Sequence, residues 1–435
     1  MARASRPWLS FRRLMPTRRH FLGTAAAALA TVTVTVAPRL RAATAARDAL
    51  ADTYTRLDAA AVKPVLDRAR LRDPVIISAI EFLQQGEFYL VRVRAKNGAV
   101  GVAVSNERDM GPLIPAAKAL MVPPLLGKDA RDWEDLIEEV YLHGSNYKRQ
   151  GLLFWLPFAS IEFAVLELLA QSSAQSVSTL LGGTPGRHVD LYHAHDDRTR
   201  SADESVERML ATRDRYKTRA AKFKVGGRMR KNEELVEGRS EAIIARAREK
   251  FGPAFTLYAD ANGSYDVPNG TRIGHLCAEH KIAIFEEPVP HDMYEETQRV
   301  ADAVSVPIAG GEQESSHNRF RWMIAHRAVD VVQPDLFYYG GLVRSIRVAR
   351  MAHAAGLTCD THLSGNGLGF LYMLHFVACT PNAGPFQEFK SFDGKIPLDA
   401  PAQTLTATAG RLLCPPGPGF GVTLDPKWLG AAKLL

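Results

Sequence analysis

The chain has 435 residues, 46% hydrophobic and 23% charged. This balance excludes a disordered chain, a collagen-like repeat and a polytopic membrane protein, and leaves room for two or three domains or a barrel with an accessory domain. The formal charge of +7 points on its face to a polyanionic partner. The excess is local, however. Residues 1–45 hold Arg3, Arg6, Arg12, Arg13, Arg18, Arg19, Arg39 and Arg41 and no acid. Without those eight, the 54 basic residues fall to 46 against 47 acidic ones, a net charge of −1.

In chain order, Thr17-Arg18-Arg19-His20-Phe21-Leu22 comes first. An Ala/Thr/Val run over 23–37 follows, and then the small residues Ala42-Ala43-Thr44-Ala45. Basic, mildly apolar and cleavable parts in that order predict an export signal, and the arginine pair is similar to the twin-arginine motif. The run carries Thr24, Thr31, Thr33 and Thr35 and is short against the ~20 apolar residues of a membrane span, so no stable membrane insertion is expected. The expected product is a periplasmic protein that meets the export machinery and begins near Ala46, with Met15 as an alternative start. Residues 46–72 are predicted to form a helical extension. In it Leu50, Tyr54, Leu57 and Ala61 lie at helical spacing over 48–63, before Pro64.

Strands are predicted over 75–80, 88–94 and 100–104, with turns at Gln84-Gln85-Gly86 and Lys96-Asn97-Gly98. Helices follow over 160–170 and on to 181, up to Gly182-Gly183-Thr184-Pro185-Gly186. Residues 73–186 therefore read as an α+β domain. Next come eight short apolar runs, at 189–194, 221–225, 255–259, 282–285, 306–309, 329–332, 356–361 and 385–389, each followed by a helix-like stretch up to the last. Eight such units over 187–389 predict a parallel barrel of the TIM type. The Pro- and Gly-rich segment 390–435 is expected to pack back on the α+β domain. Cys277, Cys359, Cys379 and Cys414 show no metal or redox spacing and read as buried thiols. No basic stripe with interleaved aromatics follows residue 46, so no nucleic-acid partner is expected.

Buried strands ordinarily end in apolar or turn residues. Here the runs end in Lys222 and Lys224, Asp260, Glu286 and Glu287, Glu312, Asp335, His362 and Glu388, with gaps of 36, 26, 26, 23, 27 and 26 residues counted from Lys224 through Asp260, Glu286, Glu312, Asp335, His362 and Glu388. That is one βα unit per step, and the C-terminal ends of barrel strands meet at one mouth. Asp260, Glu286 and Glu312 make an oxygen donor set for a hard divalent cation such as Mg²⁺. Lys222 and Lys224 share a strand face, and a second ammonium nearby favours a neutral amine. Asp335 is placed to orient the His362 imidazole. Taken singly, each acid reads as a cap and each base as an edge or core residue; the shared register is what outweighs those readings.

With these motifs in place, residues 73–430 resemble the mandelate racemase-like subgroup of the enolase superfamily. The resemblance rests on Lys222-Phe223-Lys224, Asp260-Ala261-Asn262, Phe285-Glu286-Glu287-Pro288, Gly310-Gly311-Glu312, Gln333-Pro334-Asp335, Thr361-His362-Leu363 and Gln387-Glu388, with Leu180-Leu181-Gly182-Gly183 and Pro418-Gly419-Phe420-Gly421 at the domain junction and tail. It implies an α/β fold: a modified TIM barrel, (β/α)7β, with an α+β capping domain formed by N-terminal and C-terminal segments. It implies one Mg²⁺ per site, with Mn²⁺ as a substitute, held by Asp260, Glu286 and Glu312. Lys224, and His362 with Asp335, would be the two acid/base groups, a use of Lys and His bases known in this superfamily. Lys222 would tune Lys224 and touch the substrate carboxylate. Glu388, protonated, would stabilise the enolate, and Asn262 would be a polar substrate contact.

A small carboxylate is the implied substrate and a homo-oligomer the implied assembly. Dehydration of an acid sugar or related hydroxy acid to a 2-keto acid is the favoured reaction. Racemisation, epimerisation or lactone cycloisomerisation is the alternative, and a non-catalytic exported carboxylate-binding protein the competing class. Substrate choice is expected from two capping loops, Phe82-Leu83-Gln84-Gln85-Gly86-Glu87-Phe88 and Ser105-Asn106-Glu107-Arg108-Asp109. The Ser364-Gly365-Asn366-Gly367 segment is expected to lie near the substrate.

Overall fold

The computed structural model describes residues 48–364, 367–390, 395–399 and 405–435. The expected export signal, and Gly365-Asn366 of the segment after His362, lie outside the described residues. The chain divides into two compact units, Met1–Thr53 and Tyr54–Leu435. Of the first, residues 48–53 are described and helical.

In the second unit, β1 (Ile77–Gln85), β2 (Phe88–Ala95) and β3 (Val100–Val104) form an antiparallel sheet. The last residues of the chain extend it, with β13 (Lys433–Leu434) pairing Leu83 with Leu434 on β1. The helix Leu152–Ser172 packs on this sheet, apolar nearly all round and buried accordingly. It is the one helix among the described residues long and apolar enough to span a bilayer, yet 89% of its apolar window lies inside the protein. Contact with the sheet is backbone to backbone. A Cβ on Gly101 would stand 2.1 Å from the Ala164 carbonyl oxygen, so glycine is required there. The carboxylate of Glu162 on the same helix accepts from Trp133 Nε1 at 2.8 Å and from Val343 N at 3.0 Å. It thus joins the cap to the N-terminus of the helix Leu342–Ala354, where a negative charge is favoured.

The barrel strands are β4 (His188–Ala194), β5 (Ala220–Lys224), β6 (Thr256–Asp260), β7 (Ile284–Glu286), β8 (Ile308–Gly310), β9 (Val331–Val332), β10 (Thr358–Cys359) and β11 (Gln387–Phe389). They run in parallel in chain order, and β11 returns to pair with β4. This is the α/β modified TIM barrel with a capping domain. At the seam, Asp360 Oδ1 accepts from Gln387 Nε2 at 2.8 Å and Gly384 N at 2.6 Å. The tail divides its pairing: β13 joins the cap, whereas β12 (Arg411–Leu413) pairs with β4 of the barrel.

Alternation along each strand explains why charge gathers at one end. Tyr192, Ala194, Ala220, Tyr258, Ile284, Ala309 and Val331 form an apolar plug inside the barrel. Two residues on from Ala220, Tyr258 and Ile284, the same face carries Lys222, Asp260 and Glu286. The outer face of β6 carries Leu257 and Ala259 toward helices such as Arg239–Phe251, which buries Ile243, Ile244, Ala247 and Phe251. Several strands are shorter than their apolar runs. Glu312, Asp335 and His362 stand just beyond β8, β9 and β10, and Asp335 and His362 keep register through an isolated parallel bridge.

Candidate active site

The ladders set Lys224 opposite Asp260, and Asp260 opposite Glu286. Strands lie about 4.8 Å apart, so neighbouring side chains on one face must touch. Oxygens of Asp260, Glu286 and Glu312 lie within 4.8 Å of one another, and all three residues are buried. Lys222 Nζ lies 2.8 Å from Glu286 Oε1, 3.5 Å from Asp260 Oδ2 and 3.6 Å from Glu388 Oε1. Lys224 Nζ bonds Asp260 Oδ2 and donates to Asn262 Oδ1 at 3.1 Å. On the far side, His362 Nε2 lies 3.4 Å from Glu312 Oε2 and 4.0 Å from Glu388 Oε2. Its Nδ1 is 2.7 Å from Asp335 Oδ2, which orients the ring. All nine residues singled out from the sequence thus surround one site, with the lysines and the histidine on opposite sides of the carboxylates.

Two local conformations are strained. Asn262 and Glu287 have φ of 43°, a region that costs about 1–3 kcal/mol for residues with a Cβ. Asp260 Oδ1 accepts from Asn262 N at 2.9 Å, and Gly263 N bonds the Glu287 carbonyl at 2.8 Å. The strain holds both side chains at the mouth.

Charge is distributed unevenly among the acids. Burial works against ionising Asp260, yet the ammoniums of Lys224 and Lys222 hold it well below the usual carboxylate range. Burial also opposes the charge of Glu312, which the His362 imidazole nevertheless holds low. Glu286 is pushed up to about 8, by burial first and then by Asp260. Glu287 is driven well above its ordinary value by burial and then by Glu312, and its Oε1 is buried without a hydrogen-bond partner. Buried, mutually repelling oxygens with an orphaned acceptor beside them fit a hard divalent cation. His362 is raised to about 9: burial opposes its charge, but Glu312, Glu388 and Asp335 outweigh it.

Three expectations need correction. Lys222 does not set the direction of the shift at Lys224. Burial and Lys222 both lower its pKa, but the adjoining Asp260 carboxylate outweighs them and the net shift is upward. The surroundings of Glu388 do not favour its protonated form. Burial would raise it, but Lys222, Lys390 and His362 hold it well below the ordinary range, and its Oε2 accepts from Leu363 N at 3.0 Å. Residues 82–85 are not loop but the end of β1, with Phe82 and Leu83 buried; only Gly86 and Glu87 turn. Asn262, expected as a substrate contact, has its amide engaged by protein on both sides. Arg198 Nη2 donates to its Oδ1 at 2.6 Å, and its Nδ2 lies 3.4 Å from Glu287 Oε2.

Sequence reading passed over Arg198, Glu287 and Gln333 as site residues. Gln333 Nε2 donates to Glu286 Oε2 at 3.0 Å. Gln333 and Glu287 stand inside motifs already quoted, so proximity to the register was the signal available. Arg198 carries none.

A barrel whose strand ends deliver three buried carboxylates between a lysine pair and an aspartate-bonded histidine matches the enolase class of enzyme. The chain belongs to the enolase C-terminal domain-like family, which matches residues 204–428, and it is an enzyme of the lyase or isomerase kind. It is 28% identical over 380 residues to D-galactarolactone cycloisomerase of Agrobacterium fabrum, covering 84% of this chain and 96% of that protein. It is 28% identical over 352 residues to L-rhamnonate dehydratase of Saccharopolyspora erythraea, covering 78% and 83%. A solved protein of Roseobacter denitrificans superposes with a TM-score of 0.78 at 29% identity, covering 83% of this chain and 99% of that one. A mandelate racemase/muconate lactonizing protein of Paracoccus denitrificans, complexed with magnesium, superposes with a TM-score of 0.75 at 23% identity, with the same 83% and 99% coverage.

Proposed function

We propose that the enzyme abstracts the proton α to the carboxylate of a small polyhydroxy acid and expels the β-hydroxyl as water, leaving a 2-keto acid. The observation that carries this reading is the placement of Lys224 and the Asp335-oriented His362 on opposite sides of the buried carboxylates. Asp260, Glu286 and Glu312 would hold Mg²⁺, which supplies Lewis-acid stabilisation of the negative charge developing on the substrate carboxylate. The carboxylates of Glu312, Glu388 and Asp335 favour the protonated ring of His362 against its burial, which suits the acid that protonates the departing hydroxyl. Lys224 serves as the base once its ammonium has been discharged. The C–H bond gives its electron pair to a new C=C, the C–O bond breaks, and the resulting enol becomes the keto acid. Lys222 supplies a fixed positive charge for the substrate carboxylate, with Glu388 holding the ammonium in place.

The experiment is a screen of hydroxy acids in D₂O with Mg²⁺, scored for 2-keto acid and for deuterium at Cα. A keto product is expected. Exchange with inversion and no keto acid would make the enzyme a racemase or epimerase. Absence of both, with the metal bound, would leave only a carboxylate-binding protein. The second reading, lactone cycloisomerisation, is favoured by the 96% coverage of the D-galactarolactone cycloisomerase and needs the same two groups. We also propose that residues 1–45 direct twin-arginine export to the periplasm. The support is their eight arginines and small-residue end, and N-terminal sequencing of exported protein should begin near Ala46.

A further inference from the structure

The acid/base histidine is joined to the capping domain by side chains outside the register. Asn106 follows β3 in the cap and is 1% exposed. Its Oδ1 accepts the backbone N–H groups of Arg108 at 3.1 Å and Asp109 at 3.0 Å. The amide is thereby oriented, and its Nδ2 points to Ser364 Oγ at 3.3 Å. With that lone pair engaged, the Ser364 hydroxyl donates to Asp335 Oδ1 at 3.0 Å. Asp335 Oδ1 also accepts from Phe337 N at 2.8 Å and Tyr338 N at 2.9 Å. Three donors on Oδ1 prevent the carboxylate from rotating and leave Oδ2 for His362 Nδ1. A second tie runs beside the first: Arg108 Nη2 donates to Tyr338 Oη at 2.8 Å, and Tyr338 donates to Asp109 Oδ2 at 3.2 Å.

We propose that Asn106 and Ser364 are positioning residues that couple seating of the cap to the orientation of the His362 imidazole. The chain Asn106–Ser364–Asp335–His362 is directional at every link, so loss of either upstream member weakens the hold of Ser364 on Asp335 Oδ1, which then rests on the Phe337 and Tyr338 N–H groups. The imidazole is then held most firmly in line for proton transfer when the cap loop 105–109 is seated. This rests on the reading of His362 as an acid/base group, but the geometry is testable without turnover.

The test uses the full Mg²⁺-loaded chain labelled with ¹⁵N-histidine, the His362 Nδ1–H resonance being assigned by its loss in His362→Asn. Ser364→Ala and Asn106→Ala are each expected to shift this resonance upfield and to speed its exchange with solvent about tenfold, while Ser364→Thr keeps the wild-type signal. On a substrate found by the acid screen, kcat should fall about tenfold with KM within twofold. The double variant should lose no more than the worse single one, since both act on one chain. An unchanged Nδ1–H resonance in Ser364→Ala overturns the proposal. Should Asn106→Ala unfold, Ser364→Ala, which removes a single oxygen, carries the test. A screen without turnover alongside the expected NMR changes would sink the catalytic reading and leave the coupling standing.

Discussion

At the residue scale, the two faces of the site make separable predictions. Removing a general acid or base typically costs 10²–10⁴-fold, so Lys224→Ala and His362→Asn should each abolish dehydration. Whichever variant retains the base facing Cα–H should still exchange that proton with D₂O, read by NMR; full turnover in both would refute the two-base assignment. The carboxylates make a second prediction that needs no substrate. A ligand that binds only the folded state raises the unfolding temperature with its concentration. Mg²⁺ should therefore raise the thermal midpoint of the wild type and leave that of Asp260→Asn or Glu312→Gln nearly unmoved. The residues behind both predictions were legible in the sequence because ionisable groups recur at the ends of apolar runs about one βα unit apart. The segments holding Asn106 and Ser364 were expected near the substrate, but the link between those two residues was not legible, and Arg198 was not singled out at all. All three lie in loops without periodicity, and their partners, 258 residues away for Asn106 and 64 for Arg198, are fixed only by folding. The shifts at Lys224 and Glu388 also run opposite to the directions expected. Each was argued from one neighbour, and burial brings several charges to bear together.

At the element scale, apolar runs located every barrel strand but overstated β9 and β10, which are two residues long. The run 329–332 begins two residues before β9, and the run 356–361 overshoots β10 at both ends, its last two residues leading toward His362. The capping helix was placed too late, because periodicity cannot locate the start of a helix that is apolar all round. Residues 82–88 were read as a loop because Gln84-Gln85-Gly86 looks like a turn, but pairing of Gln84 with Tyr89 and Gln85 with Phe88 carries β1 on to Gln85. The tightest contact in the cap was not legible either. At Gly101 an added Cβ would meet Ala164 O at 2.1 Å and Leu168 N at 2.4 Å, both backbone atoms that cannot rotate away. Overpacking of this kind costs about 1–3 kcal/mol. Gly101→Ala should lower the urea midpoint by a corresponding amount, whereas Gly98→Ala, with no atom within 4 Å of its Cβ, tests the cost of a positive φ of 88° alone.

At the scale of the whole molecule, the basic excess of the chain lies in its first 45 residues, and the remaining charges nearly cancel. What matters is where single charges are buried, and Glu167 gives a prediction of that kind. It lies on the capping helix Leu152–Ser172 and accepts from Phe420 N at 2.7 Å and Gln171 Nε2 at 2.9 Å. It thereby fastens the tail to the cap. Burial raises its pKa from 4.5 to about 7, against the opposing pull of those hydrogen bonds. A carboxyl whose folded pKa is raised binds its proton more tightly when folded. Its favourable contribution is complete below the unfolded value and is lost as pH climbs through the folded one. Wild-type stability should therefore fall relative to Glu167→Gln from about pH 4.5 to about pH 7, and the difference should level off above that. The full span is on the order of 3 kcal/mol. Taking the difference between two proteins that share every other group removes the opposing contributions of Asp260, Glu312 and His362. Urea unfolding of both chains at pH 5, 6, 7 and 8 measures it. A difference that stays flat across that range would mean that the tail is held by a carboxylate already ionised at pH 5, and that fastening the tail to the cap carries no proton.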